Sequence, residues 1–155
     1  MRKIIVLVLV LAFFVLPAQA ADLETMVSGH NLYSCICGAV EIKGEPKIDA
    51  KTGNASYTVA NELFDVFFIK NGKVTGFGCV CRDPASEVEF LAQCVTACYN
   101  FAGDDAGAKC FDVILSQFMF ARAGNPLGDA PISSKAYVRI QKEKFGYLFV
   151  LSVVD

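Results

Sequence analysis

Histidine is almost missing from this chain: His30 is the only one in 155 residues. Any imidazole base or imidazole metal ligand would have to be that residue. It lies in the polar stretch Ser28-Gly29-His30-Asn31, which reads as a solvated loop. No Gly-x-Ser-x-Gly elbow occurs, so the serines and aspartates that could formally complete a Ser–His–Asp triad have no supporting context. No Cys-x-x-Cys occurs either, which removes the familiar redox motif of a helix start. Runs of like charge, internal repeats and low-complexity tracts are absent.

Basic charge is scarce. The 14 basic side chains, less Arg2 and Lys3 of the leader described next, leave 12 against 16 acidic ones, a net charge of −4. Phosphate binding relies on clustered Lys and Arg, so nucleic acid is excluded as the expected partner.

The first residues read as an export signal. Arg2 and Lys3 precede the apolar run IIVLVLVLAFFVL (residues 4 to 16). Pro17 breaks that run, and Ala18-Gln19-Ala20 offers a small-x-small cleavage site. A bilayer span needs about 20 apolar residues, more than this run has, and no later stretch is long enough. The expectation is a signal peptide over 1–20 and a single exported domain over 21–155, periplasmic or secreted, with no membrane span after processing.

Within that domain, residues 21 to 32 read as polar and loosely held, and Tyr33 to Lys43 as a strand. Its alternation puts Ile36, Val40 and Ile42 on one face and Cys35, Cys37 and Glu41 on the other. Residues 44 to 54 are turn-rich, and a short strand is expected near 55 to 60. Residues 63–70 and 73–81 flank Asn71-Gly72, a pair suited to the positive φ angles of a type I′ hairpin turn. That register sets Ile69 against Val74, Val66 against Phe77 and Phe64 against Cys79. Gly76 and Gly78 mark a candidate bulge.

Asp83 and Pro84 then open a helix as cap and first residue. Val88, Leu91, Val95, Cys98 and Ala102 recur at helical spacing, and Gly103 ends the run. A second helix is expected from Ala108, with Phe111, Ile114, Leu115 and Phe118 on one face. Residues 136–141 and 147–154 read as a closing hairpin. The order implies an α+β fold: an antiparallel sheet built from hairpins, with one or two helices on one face.

Cysteine is plentiful. Cys35, Cys37, Cys79, Cys81, Cys94, Cys98 and Cys110 all follow the leader. Export places them where thiols pair, and an odd count leaves at least one over. On a strand, i and i+2 Cα atoms stand about 6.5 Å apart, so a bridge within one Cys-x-Cys is strained. Each cysteine more easily reaches a neighbouring strand or a helix above it. The expectation is a layer of thiols between sheet and helix, with Cys35, Cys37, Cys79, Cys81, Cys94 and Cys98 as disulfide candidates. Cys110 or Cys94 is then the odd thiol, able to join two chains as a disulfide-linked dimer.

Two chemical alternatives remain. Four thiolates at Cys35, Cys37, Cys79 and Cys81 could hold zinc in a tetrahedron. Ser34 to Pro46, SCICGAVEIKGEP, resembles the opening of the glutathione-dependent formaldehyde-activating enzyme family, zinc proteins whose first strand often reads Cys-x-Cys-Gly-Ala-Val. That resemblance implies further cysteine clusters, yet Cys79-Val80-Cys81 is followed here by Arg82-Asp83-Pro84. The other alternative is thiol–disulfide exchange through a strained Cys-x-Cys.

Elsewhere, Glu87 and Glu89 suit a helix N-terminus, Asp104 and Asp105 a cap, and Asn54-Ala55-Ser56 a glycosylation acceptor. The aromatic clusters Phe64, Phe67, Phe68 and Phe118, Met119, Phe120 read as core; either one, if exposed, would mark a binding surface. The leading functional expectation is therefore a non-catalytic binding or assembly component without a cofactor, its partner a protein or small ligand. A zinc-binding or thiol-redox enzyme is the alternative.

Overall fold

The computed structural model describes residues 21–59 and 63–154, the side chains of 104–108 excepted. The expected leader lies outside the described residues. Three helices and seven strands form an α+β fold: α1 (Leu23–Cys37), β1 (Lys47–Ile48), β2 (Ala55–Thr58), β3 (Leu63–Lys70), β4 (Lys73–Cys81), α2 (Glu87–Ala102), α3 (Asp104–Arg122), β5 (Ala130–Pro131), β6 (Ala136–Glu143) and β7 (Gly146–Val153). The strands make one sheet in the order β1-β2-β3-β4-β7-β6-β5, and every neighbouring pair is antiparallel.

The first helix overturns the strand expected at Tyr33 to Lys43 and the loose segment expected before it. Asp22 caps α1, its Oδ1 accepting from the Thr25 N–H at 2.8 Å. Gly38 ends it in the left-handed region at φ 71°, a conformation that favours glycine. Met26, His30, Tyr33 and Ser34 are buried at helical spacing. Two of those four are polar, which hid the helical face from a hydrophobicity pattern. Beyond Gly38 the chain is held by Asn31, whose amide donates to the Ile42 carbonyl at 2.8 Å and accepts from the Ile42 N–H at 2.7 Å.

The β3–β4 hairpin forms as expected around Asn71 and Gly72, at φ 54° and 74°. Its register begins with Ile69 opposite Val74 and then slips. Thr75 is an extra residue on β4, because Phe68 pairs with Gly76. The Ile69 N–H donates to Asn54 Oδ1 at 3.0 Å, next to the start of β2. Past this bulge Phe67, not Val66, faces Phe77, and Asp65, not Phe64, faces Cys79. Gly76 and Gly78 do not pack side chains of their own; the Phe68 ring lies over both, 3.0 and 3.1 Å from where their Cβ atoms would stand.

Asp83 caps a single 3₁₀ turn at Pro84–Ser86, which leads into α2. The core face of α2 is Phe90, Gln93, Cys94, Ala97, Cys98 and Phe101. Of the expected face, Cys98 is fully buried, Leu91, Val95 and Ala102 pack half-buried against the edge of the core, and Val88 is 76% exposed. Both stripes have helical spacing, and the one carrying the larger rings is the one buried. On α3 the buried set is Cys110, Ile114, Gln117, Phe118 and Ala121, while Phe111 and Leu115 face solvent. Among the described residues, three helices, where one or two were expected, thus accompany the sheet. Leu63, Phe67, Phe77, Cys79, Ile140, Phe149 and Leu151 of the sheet join Phe90, Cys94, Ile114 and Phe118 of the helices in one core.

Candidate functional site

The thiols come first, because the sequence makes them the main candidates. Cys98 of α2 and Cys110 of α3 form a disulfide across the helical hairpin. Cys110, expected as an odd thiol, is therefore paired. Of the six candidates for bridging, Cys98 alone is bonded here; Cys35, Cys37, Cys79, Cys81 and Cys94 are free. Cys35 and Cys37 sit in the last turn of α1, the first exposed and the second half-buried. Cys79, Cys81 and Cys94 are buried between β4 and α2, so a layer of sulfur does exist, built from three of the six expected members and unbridged.

The buried thiols are chemically quiet. Burial, then the Asp65 carboxylate and neighbouring sulfurs, pushes Cys79 well above the ordinary thiol range, and burial first does the same to Cys94. Burial, with Glu87 and Asp83 behind it, raises Cys81 to about 11. All three are protonated at neutral pH and poor nucleophiles. Among the described residues, no group of three or more His, Cys, Asp or Glu side chains is placed to hold a metal ion. The quartet Cys35, Cys37, Cys79 and Cys81 is split between an exposed helix end and the core.

A different constellation appears where none was expected. His30, read as a solvated loop residue, is fully buried on α1. Its ring stacks on Phe77 with centroids 5.4 Å apart and meets Phe67 edge-on at 6.5 Å. His30 Nε2 lies 3.3 Å from Gln93 Oε1, and Gln93 Nε2 donates to Asp65 Oδ2 at 2.7 Å. An amide oxygen only accepts, so Nε2 carries the histidine proton. Cys79 stands directly across the ladder from the same residue. Burial lowers His30 to about 4, against the raising effect of the Gln93 bond. Burial raises Asp65 to about 7, against the lowering effects of Cys79 and Gln93. Among the described residues, His30 Nδ1 and Asp65 Oδ1 have no hydrogen-bond partner. This chain ties α1, α2 and β3 together; enclosed as it is, it offers no substrate a place to bind. A second buried amide does similar work: Gln117 Nε2 donates to the Gly128 carbonyl at 2.8 Å, and its Oε1 accepts from Ile140 N–H at 3.2 Å.

The accessible candidate is apolar. Phe118 of the Phe118-Met119-Phe120 run is core, but Met119 is 54% and Phe120 49% exposed. With Phe111 at 56% and Leu115 at 40%, Met119 completes a ridge at i, i+4 and i+8 along α3. The other aromatic cluster splits as well: Phe67 is core, while Phe64 and Phe68 are half-buried on the opposite face of the sheet, where Arg82 stacks on Phe64 at 4.6 Å. A groove of about 410 Å³ borders that face, lined by Lys43, Glu45, Lys47, Ser56, Tyr57, Thr58 and Phe64. No described helix is long and apolar enough to cross a membrane.

The chain matches no family model, no curated protein and no solved structure. Its resemblance around Cys35 and Cys37 to a zinc enzyme family is not carried by the fold either, since those residues end a helix.

Proposed function

We propose that this is an exported, non-catalytic binding or assembly component that engages a helix of a partner protein along α3. The observation that carries this reading is the exposed ridge Phe111, Leu115 and Met119, flanked by Phe120. Roughly half of each of these large side chains faces solvent, leaving on the order of 400 Å² of apolar surface. That is within the roughly 300–600 Å² of the largest apolar patch on a typical monomer, a patch that is often functional. It is about half of what one side of a standard globular interface buries. The area suits one partner helix, and a ridge at four-residue spacing packs into the matching groove of another helix.

Export is supported by the leader-like start at residues 1–20 and by the disulfide between Cys98 and Cys110. The buried, protonated state of Cys79, Cys81 and Cys94 supports a non-catalytic role. The test is affinity purification of the tagged full chain from its native host, beside a variant carrying Phe111→Ser and Met119→Ser. A partner retained by the natural chain and lost by an equally folded variant supports the proposal. An identical set of bound proteins for both chains rejects it.

A further inference from the structure

The His30–Gln93–Asp65 chain is not needed for binding along α3, and it has a property of its own. Two ionisable side chains, both buried, bond to opposite ends of one amide. Asp65 is faced by Cys79 from β4, Tyr57 from β2, and Gln93 and Cys94 from α2. His30 is faced by Phe67, Phe77 and Gln93. None of these is a cation or a second carboxylate, and no described ion pair reaches either residue. A charge on one partner alone would stand in the core without a counter-ion.

The two atoms that lack hydrogen-bond partners, His30 Nδ1 and Asp65 Oδ1, are the ones whose protonation differs between the ionised and neutral forms of the pair. A proton on Nδ1 would be a buried cationic donor with nothing to receive it. A bare carboxylate at Oδ1 would be an anion with one oxygen unsatisfied.

We infer that His30 and Asp65 form a one-proton latch that closes α1 onto the sheet: on folding, the proton leaves imidazole Nδ1 and one is bound at Asp65 Oδ1. In the unfolded chain at mildly acidic pH the imidazole is charged and the carboxyl ionised; in the folded chain both are neutral. One proton is bound before and after, so folding neither takes up nor releases a proton at this pair. Its stability contribution is therefore level between about pH 4 and pH 6.5. The device gives an exported protein, exposed to variable acidity, a buried polar anchor that does not follow the pH.

Each partner alone would give a slope, and the slopes oppose. Asp65→Asn leaves the histidine, whose lowered value makes stability present above pH 6.5 and lost as pH falls toward 4. His30→Gln leaves the aspartate, whose raised value makes stability present below pH 3.8 and lost as pH rises toward 7. Each slope amounts to about a tenfold change in the folded-to-unfolded ratio per pH unit.

The test is denaturant unfolding of the full exported chain and both variants from pH 4 to 7, read as differences from the natural chain. The expected result is a pair of mirror-image slopes. Equal pH dependence in all three chains overturns the inference. Should a variant fail to fold, carbon and nitrogen NMR of the natural chain at pH 5 decides the matter. A protonated Asp65 carboxyl with a neutral, Nε2-protonated His30 supports the latch; an ionised Asp65 or a doubly protonated His30 overturns it.

Discussion

Asp65 and Cys79 stand directly opposite each other on β3 and β4, and a single extra residue, Thr75, puts them there. Without the bulge the alternation would bring Phe64 to that position and turn Asp65 outward to water. The same slip places the carboxyl beneath Gln93 and hence in line with His30. Deleting Thr75 should therefore do more than shorten a strand. We expect the variant to lose cooperative unfolding, monitored by near-UV circular dichroism and denaturant titration. A variant that unfolds as cooperatively as the natural chain would show that register is set elsewhere.

The pH behaviour of Asp65 has a definite sign. Its folded value of about 7 lies above the ordinary carboxyl value of 3.8, so the neutral carboxyl is the form the fold prefers. That preference is fully present below pH 3.8 and lost as pH rises through 7. Relative to the natural chain, Asp65→Asn should gain about 4 kcal/mol of stability between pH 4 and pH 8. Guanidinium unfolding at the two pH values measures it.

The sulfur chemistry is equally specific. Native protein should rise by about two mass units on reduction, from the Cys98–Cys110 bridge. Before unfolding, Cys35 should alkylate rapidly and Cys37 more slowly, while Cys79, Cys81 and Cys94 should resist until denaturant is added. Cys98→Ala with Cys110→Ala should lower stability by about 3 kcal/mol, as expected for a loop of 12 residues. A mass rise of six units would instead point to three bridges.

The two faces of α3 should respond differently. Phe118→Ala removes a buried ring packed 4.8 Å from Tyr147 and 6.3 Å from Phe90, and should cost about 3–5 kcal/mol. Phe111→Ser removes an exposed ring and should change stability by no more than about 0.5 kcal/mol. Thermal unfolding of the two variants side by side separates core from surface.

Much of the sheet was legible because turn chemistry is local. Asn71-Gly72 declares its hairpin, and the alternation in 136–141 and 147–154 declares the other. The helices α2 and α3 were legible in extent but not in facing. Val88, Leu91 and Val95 form as good a stripe as Phe90, Cys94 and Ala97, and only the third dimension decides between them. Helix α1 was missed although Asp22 and Gly38 bracket it, because its buried residues include His30 and Ser34. The latch was illegible for the same reason: a buried polar group satisfied by residues far along the chain leaves no periodic trace. The pairing of Cys98 with Cys110 depends on how two helices face across Gly103, which spacing alone does not give.

The most direct test of the binding role is site-specific photocrosslinking of the full chain in its native host. A benzophenone side chain at Leu115 is compared with one at Lys51, an exposed turn residue far from α3 in sequence. A discrete crosslinked species from position 115, absent from position 51, is the expected result. Equal crosslinking from both positions, or none from 115 while the folded protein accumulates normally, would contradict a partner seated on α3.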